Sequence, residues 1–95
     1  MAETEHTVVL CYDIAAAKTR RRVSGFLEER LVRVQKSVFE GRLTPRKAYR
    51  LFDATSAMLD DEDSLRLYVM TKEGLEKSRT FGGAPLLADE GFLLL

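Results

Sequence analysis

The first regular element that the sequence predicts is a strand that ends in a carboxylate. Residues 8–12 are Val, Val, Leu, Cys and Tyr with no polar residue between them, and Asp13 follows directly. An unbroken apolar run of this length is typical of a strand that is covered on both faces. We therefore predict a central strand over residues 7–13, with Asp13 at its carboxyl end.

A helix and a hairpin are predicted next. Over residues 16–31 the apolar positions recur at the spacing of an amphipathic helix; they are Val23, Phe26, Leu27 and Leu31. Basic residues occupy the first half of this helix, where cations oppose the helix dipole, and this placement is consistent with an anion binding nearby. Residues 32–43 alternate imperfectly, which predicts two short strands that bend near residues 35–37 and end around Gly41.

A second helix begins with clear start signals. Thr44 can accept a backbone hydrogen bond as the N-cap, and Pro45 suits the first helical position. The predicted buried stripe of this helix consists of Ala48, Leu51, Phe52, Thr55 and Leu59. An acidic turn at residues 60–63 ends the helix, and residues 64–70 alternate as a strand, with Leu65, Leu67 and Val69 on one face and Arg66, Tyr68 and Met70 on the other. Residues 71–84 are predicted to form a loop with one helical turn near residues 74–77.

The order strand, helix, strand, strand, helix, strand predicts an α+β fold of the ferredoxin-like type, βαββαβ. Two helices cover only one face of such an antiparallel sheet, so a second copy is expected to pack on the other face as a sheet-to-sheet homodimer. We assign residues 1–80 to the core domain and residues 81–95 to a C-terminal extension. Because its last five residues are strongly apolar, we expect this extension to cross to the partner subunit as an edge strand.

Composition narrows the class of protein further. The 95 residues carry a formal net charge of zero, but residues 1–50 hold eleven Lys or Arg against six Asp or Glu, and the remainder holds four against nine. A basic half can meet phosphate, although two solvated amphipathic helices would give the same counts. Because the N-terminus is polar and acidic, we expect no signal peptide. No apolar run is long enough to predict a membrane span. The single cysteine, Cys11, suits a reducing cytoplasm.

Asp13 admits a structural and a functional interpretation. It lies close enough to the first helix to cap it. In the predicted dimer, however, two Asp13 carboxylates could face each other across the two-fold axis and share a divalent ion such as Mg²⁺. Arg20 and Arg22 would then supply positive charge for a phosphate backbone. His6 is expected to be solvated on the N-terminal segment, and Cys11 to be a small core residue.

Four stretches resemble those of one protein family. "VVLCYDI" from Val8, "RRRV" and "GFLE" in the first helix, "VRVQKSVFEG" from Val32 and "SLRLY" from Ser64 occur in the order found in the CRISPR-associated Cas-two family. The similarity covers about two thirds of the chain, from Val8 to Tyr68. The combination of a "YDI" strand with a following "QKSVFEG" is specific in a protein this short.

The resemblance implies a homodimer that accompanies the Cas-one integrase in spacer acquisition. Many members of the family are metal-dependent endonucleases that cleave single-stranded RNA or duplex DNA. The resemblance therefore also implies this activity, with Mg²⁺ as the cofactor and Mn²⁺ able to replace it. By the same resemblance, Asp13 is the metal-binding and catalytic aspartate, and Tyr12 is its catalytic partner. The residues implied to bind nucleic acid are Arg20, Arg22, Arg33, Ser37 and Phe39.

Two other functions stay open at the level of sequence. The first is a non-catalytic adapter that binds duplex DNA through the basic half and the integrase through the C-terminal edge. The second is a ribonuclease toxin of the virulence-associated D type, which shares the fold and the dimer plan.

The residues "AAAK" after Asp13 depart from the polar or acidic residues of many Cas-two relatives, and the region beyond Thr71 matches the family only loosely.

Overall fold

The structure is a computed structural model that describes residues 3–87 and 93–94 of the chain. For residues 87, 93 and 94 it describes only the backbone. The elements in chain order are β1 (His6–Asp13), α1 (Ala17–Glu28), β2 (Val32–Gln35), β3 (Val38–Leu43), α2 (Pro45–Ser56), β4 (Ser64–Met70), α3 (Lys72–Glu76), β5 (Leu86–Leu87) and β6 (Leu93–Leu94). β1 to β4 follow the predicted order, and the ferredoxin-like fold is confirmed.

The main sheet is antiparallel throughout, with the strand order β2-β3-β1-β4. β1 is therefore an inner strand, paired with β3 on one side and with β4 on the other. In this register Leu10 lies opposite Phe39 and Leu67, and Asp13 lies opposite Ser64. The last residue of β1 is thus fixed beside the first residue of β4.

Both long helices cover one face of the sheet, which we call the helix face. Val8, Leu10 and Tyr12 of β1 point to it and belong to one buried cluster that includes Val23 and Leu27 of α1 and Leu51 of α2. Gly41 also lies on this face, where a Cβ atom would collide with the side chain of Leu31. The absence of a side chain at residue 41 therefore lets the turn after α1 pack closely on β3.

The helix start signals act as predicted. The Thr44 side chain accepts a hydrogen bond from the Lys47 amide at 3.3 Å, and Pro45 opens α2. The helical turn predicted within the segment 71–84 is α3, a five-residue helix that begins two residues earlier than expected, and irregular chain follows it. Its N-cap, Thr71, accepts a hydrogen bond from the Gly74 amide at 3.0 Å. The short polar segment after β4 thus has its own local stabilisation.

The opposite face of the sheet, which we call the open face, is only partly covered within one chain. Val9 and Cys11 of β1 are half-buried there, and Tyr68 of β4 exposes 49 % of its surface. Complete burial of both faces of β1 is therefore not observed in a single chain. His6 is the first residue of β1 and is half-buried, so it belongs to the sheet and not to the polar segment before it.

The C-terminal extension forms a separate two-stranded ladder. Leu86 pairs with Leu94, and Leu87 with Leu93, in antiparallel register. The other residues of the tail, 88–92 and 95, lie outside the described part of the chain. The crossing of this tail to a partner subunit stays a prediction.

Candidate functional site

The side chain of Asp13 is exposed at the point where β1 ends. Because side chains alternate along a strand, Asp13 follows Val9 and Cys11 on the open face, while Tyr12 points to the helix face. α1 begins only four residues later, at Ala17, and the turn between β2 and β3 lies at the same end of the sheet, since the Tyr12 amide donates to the Ser37 carbonyl at 3.1 Å. Three segments therefore meet around one exposed carboxylate.

The loop that follows Asp13 is held by Arg20 from α1. One guanidinium nitrogen of Arg20, Nη1, donates to the carbonyl of Ile14 at 3.0 Å and to the carbonyl of Ala15 at 2.9 Å. The Ile14 side chain is buried in the helix-face core with 3 % of its surface exposed. Arg20 thus has a structural role, because these hydrogen bonds fix the backbone where the loop turns toward α1. The phosphate contact that the sequence predicts for Arg20 stays a prediction.

A second contact holds the same loop from the other side. The Ala15 amide donates to Oδ1 of Asp63 at 3.1 Å, and the Asp60 amide donates to Oδ2 of the same carboxylate at 3.0 Å. Sequence reasoning missed Asp63 because the acidic turn was interpreted as solvated. The topology contains a signal, however. Since β4 pairs antiparallel with β1, the residue before β4 must lie beside the residues that follow β1.

Tyr12 belongs to the core. Its ring stacks on Phe39 with a centroid distance of 6.1 Å and an interplanar angle of 27°, and only 8 % of its surface is exposed. The hydroxyl group points to the Lys36 carbonyl at 3.5 Å, which is too long for a strong hydrogen bond. The buried ring of Tyr12 therefore anchors the end of β1 in the core. A catalytic role for Tyr12 stays a hypothesis.

The burial of Phe39 argues against a direct contact with nucleic acid. The resemblance implies such a contact, but the side chain has no exposed surface. It lies under the Arg33 guanidinium, whose central carbon is 5.6 Å from the ring centroid. The physical reason is the register of β3, which points Phe39 to the helix face opposite Leu10. We therefore correct this assignment: Phe39 is a packing residue.

The remaining residues implied to bind nucleic acid are spread over two elements. Arg33 is half-exposed on β2 and forms an ion pair with Glu28 at 3.4 Å. Arg22 is exposed on α1, and Ser37 is half-buried in the hairpin turn, where its carbonyl accepts the Tyr12 amide. The structure thus brings Arg20 and Ser37 to the end of β1 where Asp13 lies, whereas Arg33 is held by the last turn of α1.

The N-terminus of α1 has no side-chain cap. Ala16 is the N-cap residue, it makes no side-chain hydrogen bond, and the first turn contains no acidic residue. The alternative in which Asp13 caps this helix is therefore wrong. Lys18 and Arg21 add exposed positive charge within the first two turns. An anion near this helix start would meet backbone N–H groups that have no partner within the helix, together with basic side chains.

One chain supplies only part of a metal site. Among residues 3–87, no group of three or more His, Cys, Asp or Glu side chains could hold a metal ion together. Both carboxylate oxygens of Asp63 already accept backbone N–H groups, whereas the Asp13 side chain is exposed at the end of β1. Mg²⁺ takes one or two carboxylates and otherwise keeps water ligands. Asp13 therefore fits such an ion when a second copy contributes the same residue.

Comparisons with known proteins identify relatives over most of the chain. The family profile described as CRISPR associated protein Cas2 matches residues 6–78. The CRISPR-associated endoribonuclease Cas2 2 of Synechocystis sp. is 34 % identical over 89 residues, which are 92 % of this chain and 96 % of that protein. These matches agree with the resemblance to the Cas-two family in the sequence.

Solved structures give the same result for the fold. Streptococcus pyogenes Cas2 at pH 6.5 superposes with a TM-score of 0.67 and 28 % identity, covering 80 % of this chain and 99 % of that one. A chain of a partial Cas6-RT-Cas1–Cas2 complex superposes with a TM-score of 0.68 and 29 % identity, covering 79 % and 83 % of the two chains. In the described residues no helix is long and apolar enough to cross a membrane.

Proposed function

Because the chain belongs to the CRISPR-associated protein Cas2 family, we propose that it acts in CRISPR adaptation as a homodimeric, metal-dependent endonuclease that binds nucleic acid and a Cas1 integrase. The observation that carries this proposal is the exposed Asp13 carboxylate at the end of β1, directly before a loop held by Arg20 and Asp63. The names of the curated relatives, endoribonucleases, support the class of reaction. The complex that contains Cas1 supports the partner.

The homodimer is proposed from the open face of the sheet. Val9 and Cys11 are half-buried there, and Val32 and Tyr68 expose 51 % and 49 % of their surfaces. A second copy that packs its own open face on this one would bury these residues and place the two β1 strands near a two-fold axis. The two Asp13 side chains can then approach each other from opposite subunits.

The chemistry rests on charge placed around the scissile phosphate. Asp13 of each subunit would hold a divalent ion, Mg²⁺ or Mn²⁺, which when bound supplies a Lewis acid for the phosphodiester and for the attacking water. Arg20 and Arg22 orient the substrate through its phosphate oxygens, since guanidinium groups bind phosphate with paired hydrogen bonds. Ser37 supports the turn beside Tyr12. Single-stranded RNA and duplex DNA are the two substrates to be compared.

The proposal is tested with Asp13→Asn, which keeps the size of the side chain and removes its charge. We expect metal-dependent cleavage of a labelled RNA or duplex DNA to fall by at least about 100-fold, a loss of roughly 3 kcal/mol in transition-state stabilisation. The matched control is Asp61→Asn, which removes the same charge from the exposed acidic turn before β4. Cleavage that is equal in the parent and in Asp13→Asn would refute the nuclease proposal and would indicate a contaminating enzyme.

A second candidate function is a non-catalytic adapter, favoured by the fact that no three His, Cys, Asp or Glu side chains among the described residues are grouped so that they could hold a metal ion. Such a protein would bind the DNA backbone with a steep dependence on salt concentration, and its binding would depend on Arg22 but not on Asp13. Binding isotherms at several salt concentrations for Asp13→Asn and Arg22→Ala separate the two functions.

Membership in the Cas2 family favours both over the toxin alternative. We propose the cytoplasm as the compartment, which suits the free thiol of Cys11.

A further inference from the structure

The acidic turn before β4 makes one contact that its own stability does not require. The turn at residues 60–63 is closed by a backbone hydrogen bond, from the Asp63 amide to the Asp60 carbonyl at 3.0 Å, and by the Asp60 amide, which donates to Oδ2 of Asp63. The other oxygen, Oδ1, accepts the amide of Ala15, a residue 48 positions away in the sequence. This third bond connects the turn to the loop that follows Asp13.

We propose that Asp63 is a positioning residue for Asp13, and this inference rests on the function proposed above. The Asp63 carboxylate holds the backbone of the loop after Asp13 from the β4 side, and Arg20 holds the carbonyls of Ile14 and Ala15 from the α1 side. These two contacts, together with the pairing of Asp13 with Ser64, fix the backbone on both sides of Asp13. The direction in which the Cα–Cβ bond of Asp13 leaves the sheet is fixed with it.

The electrostatics explain why Asp63 positions the loop instead of joining the metal site. Each of its oxygens accepts a backbone N–H, and these two hydrogen bonds hold the carboxylate in place. Leaving those donors would expose two N–H groups that have no other partner in the described contacts. Asp13, in contrast, is exposed at the last position of β1. One carboxylate is thus used to hold the backbone, and the other is available for the ion.

Replacement of Asp63 by Ala removes the acceptor of the Ala15 amide and frees the loop. We expect solvent exchange of the Ala15 amide proton, measured by NMR, to become about tenfold faster. Because supporting contacts of metal ligands commonly change affinity by about tenfold or more, we also expect Mn²⁺ to bind the variant about tenfold more weakly. The Mn²⁺ affinity is measured on the full-length protein by electron paramagnetic resonance, without any cleavage assay.

Two variants separate the hydrogen bond from the charge. Asp61→Ala removes an equal charge from the same turn, and we expect less than a twofold change in both measurements. Asp63→Asn keeps one oxygen that can accept the Ala15 amide but loses the negative charge and the acceptor for the Asp60 amide. We expect it to retain slow Ala15 exchange and to bind Mn²⁺ as the Asp61→Asn control does. Thermal unfolding of each variant shows whether it is folded.

The outcomes distinguish this inference from the proposed function. If Asp63→Ala leaves Ala15 exchange unchanged, or weakens Mn²⁺ binding no more than Asp61→Ala does, the positioning role is refuted. If Asp13→Asn leaves Mn²⁺ binding unchanged, the proposed metal site is refuted instead. In that case Ala15 exchange and the carboxyl ¹³C signal of Asp13 in the Asp63→Ala protein still decide the positioning role: it survives only if both change.

Discussion

Tyr12 and Asp13 are adjacent in the chain, yet they lie on opposite faces of β1 and have opposite environments. Tyr12 packs on Phe39 in the helix-face core, which α1 and α2 complete within a single chain. Asp13 is exposed on the open face, where Val9 and Cys11 remain half-buried. Within one chain, the helix face of the sheet therefore holds the buried core, whereas the open face leaves the Asp13 carboxylate and several apolar side chains accessible.

The largest expected difference between the two faces concerns stability. Phe39→Ala removes a fully buried ring and should lower the free energy of unfolding by about 3–5 kcal/mol. The control is Val38→Ala, one residue earlier on the open face, where the side chain is half-buried and the loss should stay near 1 kcal/mol. Urea unfolding at one fixed protein concentration measures both. Equal losses would contradict the assignment of the core to the helix face alone.

A smaller effect is expected for Tyr12→Phe. The ring and its stacking on Phe39 are preserved, and the hydroxyl group makes only a long contact to the Lys36 carbonyl. The free energy of unfolding should therefore change by less than about 1 kcal/mol. If Tyr12 acts only as a packing residue, cleavage by this variant equals that of the parent. A rate that falls as far as in Asp13→Asn would instead establish a catalytic role for the hydroxyl.

The smallest effect is a pH dependence on the open face. Partial burial raises the pKa of Glu40 above its usual value, because desolvation disfavours the charged carboxylate. The folded state then binds this proton more tightly than the unfolded state does, so stability falls as the pH rises through the two pKa values. Glu40→Gln should remove this fall and be slightly more stable than the parent at neutral pH, with no difference well below pH 4. Unfolding curves at several pH values test this sign.

Local signals were enough to predict most of the fold. Alternation defined β4, the Thr44 and Pro45 pair defined the start of α2, and the order of elements defined the topology. The apolar run of β1 was a less complete guide. It predicted burial on both faces, and the structure of one chain shows that only the helix face is fully covered.

The candidate site was predictable in part. Asp13 is conspicuous in the sequence because it ends an apolar strand, and the family motif identified the basic residues around it. Asp63 was missed because its contact with Ala15 follows only from the pairing of β1 with β4. The structural role of Arg20 was missed because it depends on where the Ile14 and Ala15 carbonyls point in the loop before α1. Phe39 was misassigned because a motif carries residue identity but does not say which face of a strand the residue occupies.

We propose that Asp13 is half of a metal site that a second subunit completes. The most direct measurement is a Mn²⁺ titration monitored by electron paramagnetic resonance, on protein whose dimeric state has been verified by analytical ultracentrifugation. We predict one tightly bound Mn²⁺ for every two chains, and loss of that binding in Asp13→Asn. One ion for each chain, or binding that is unchanged in Asp13→Asn, would contradict the account.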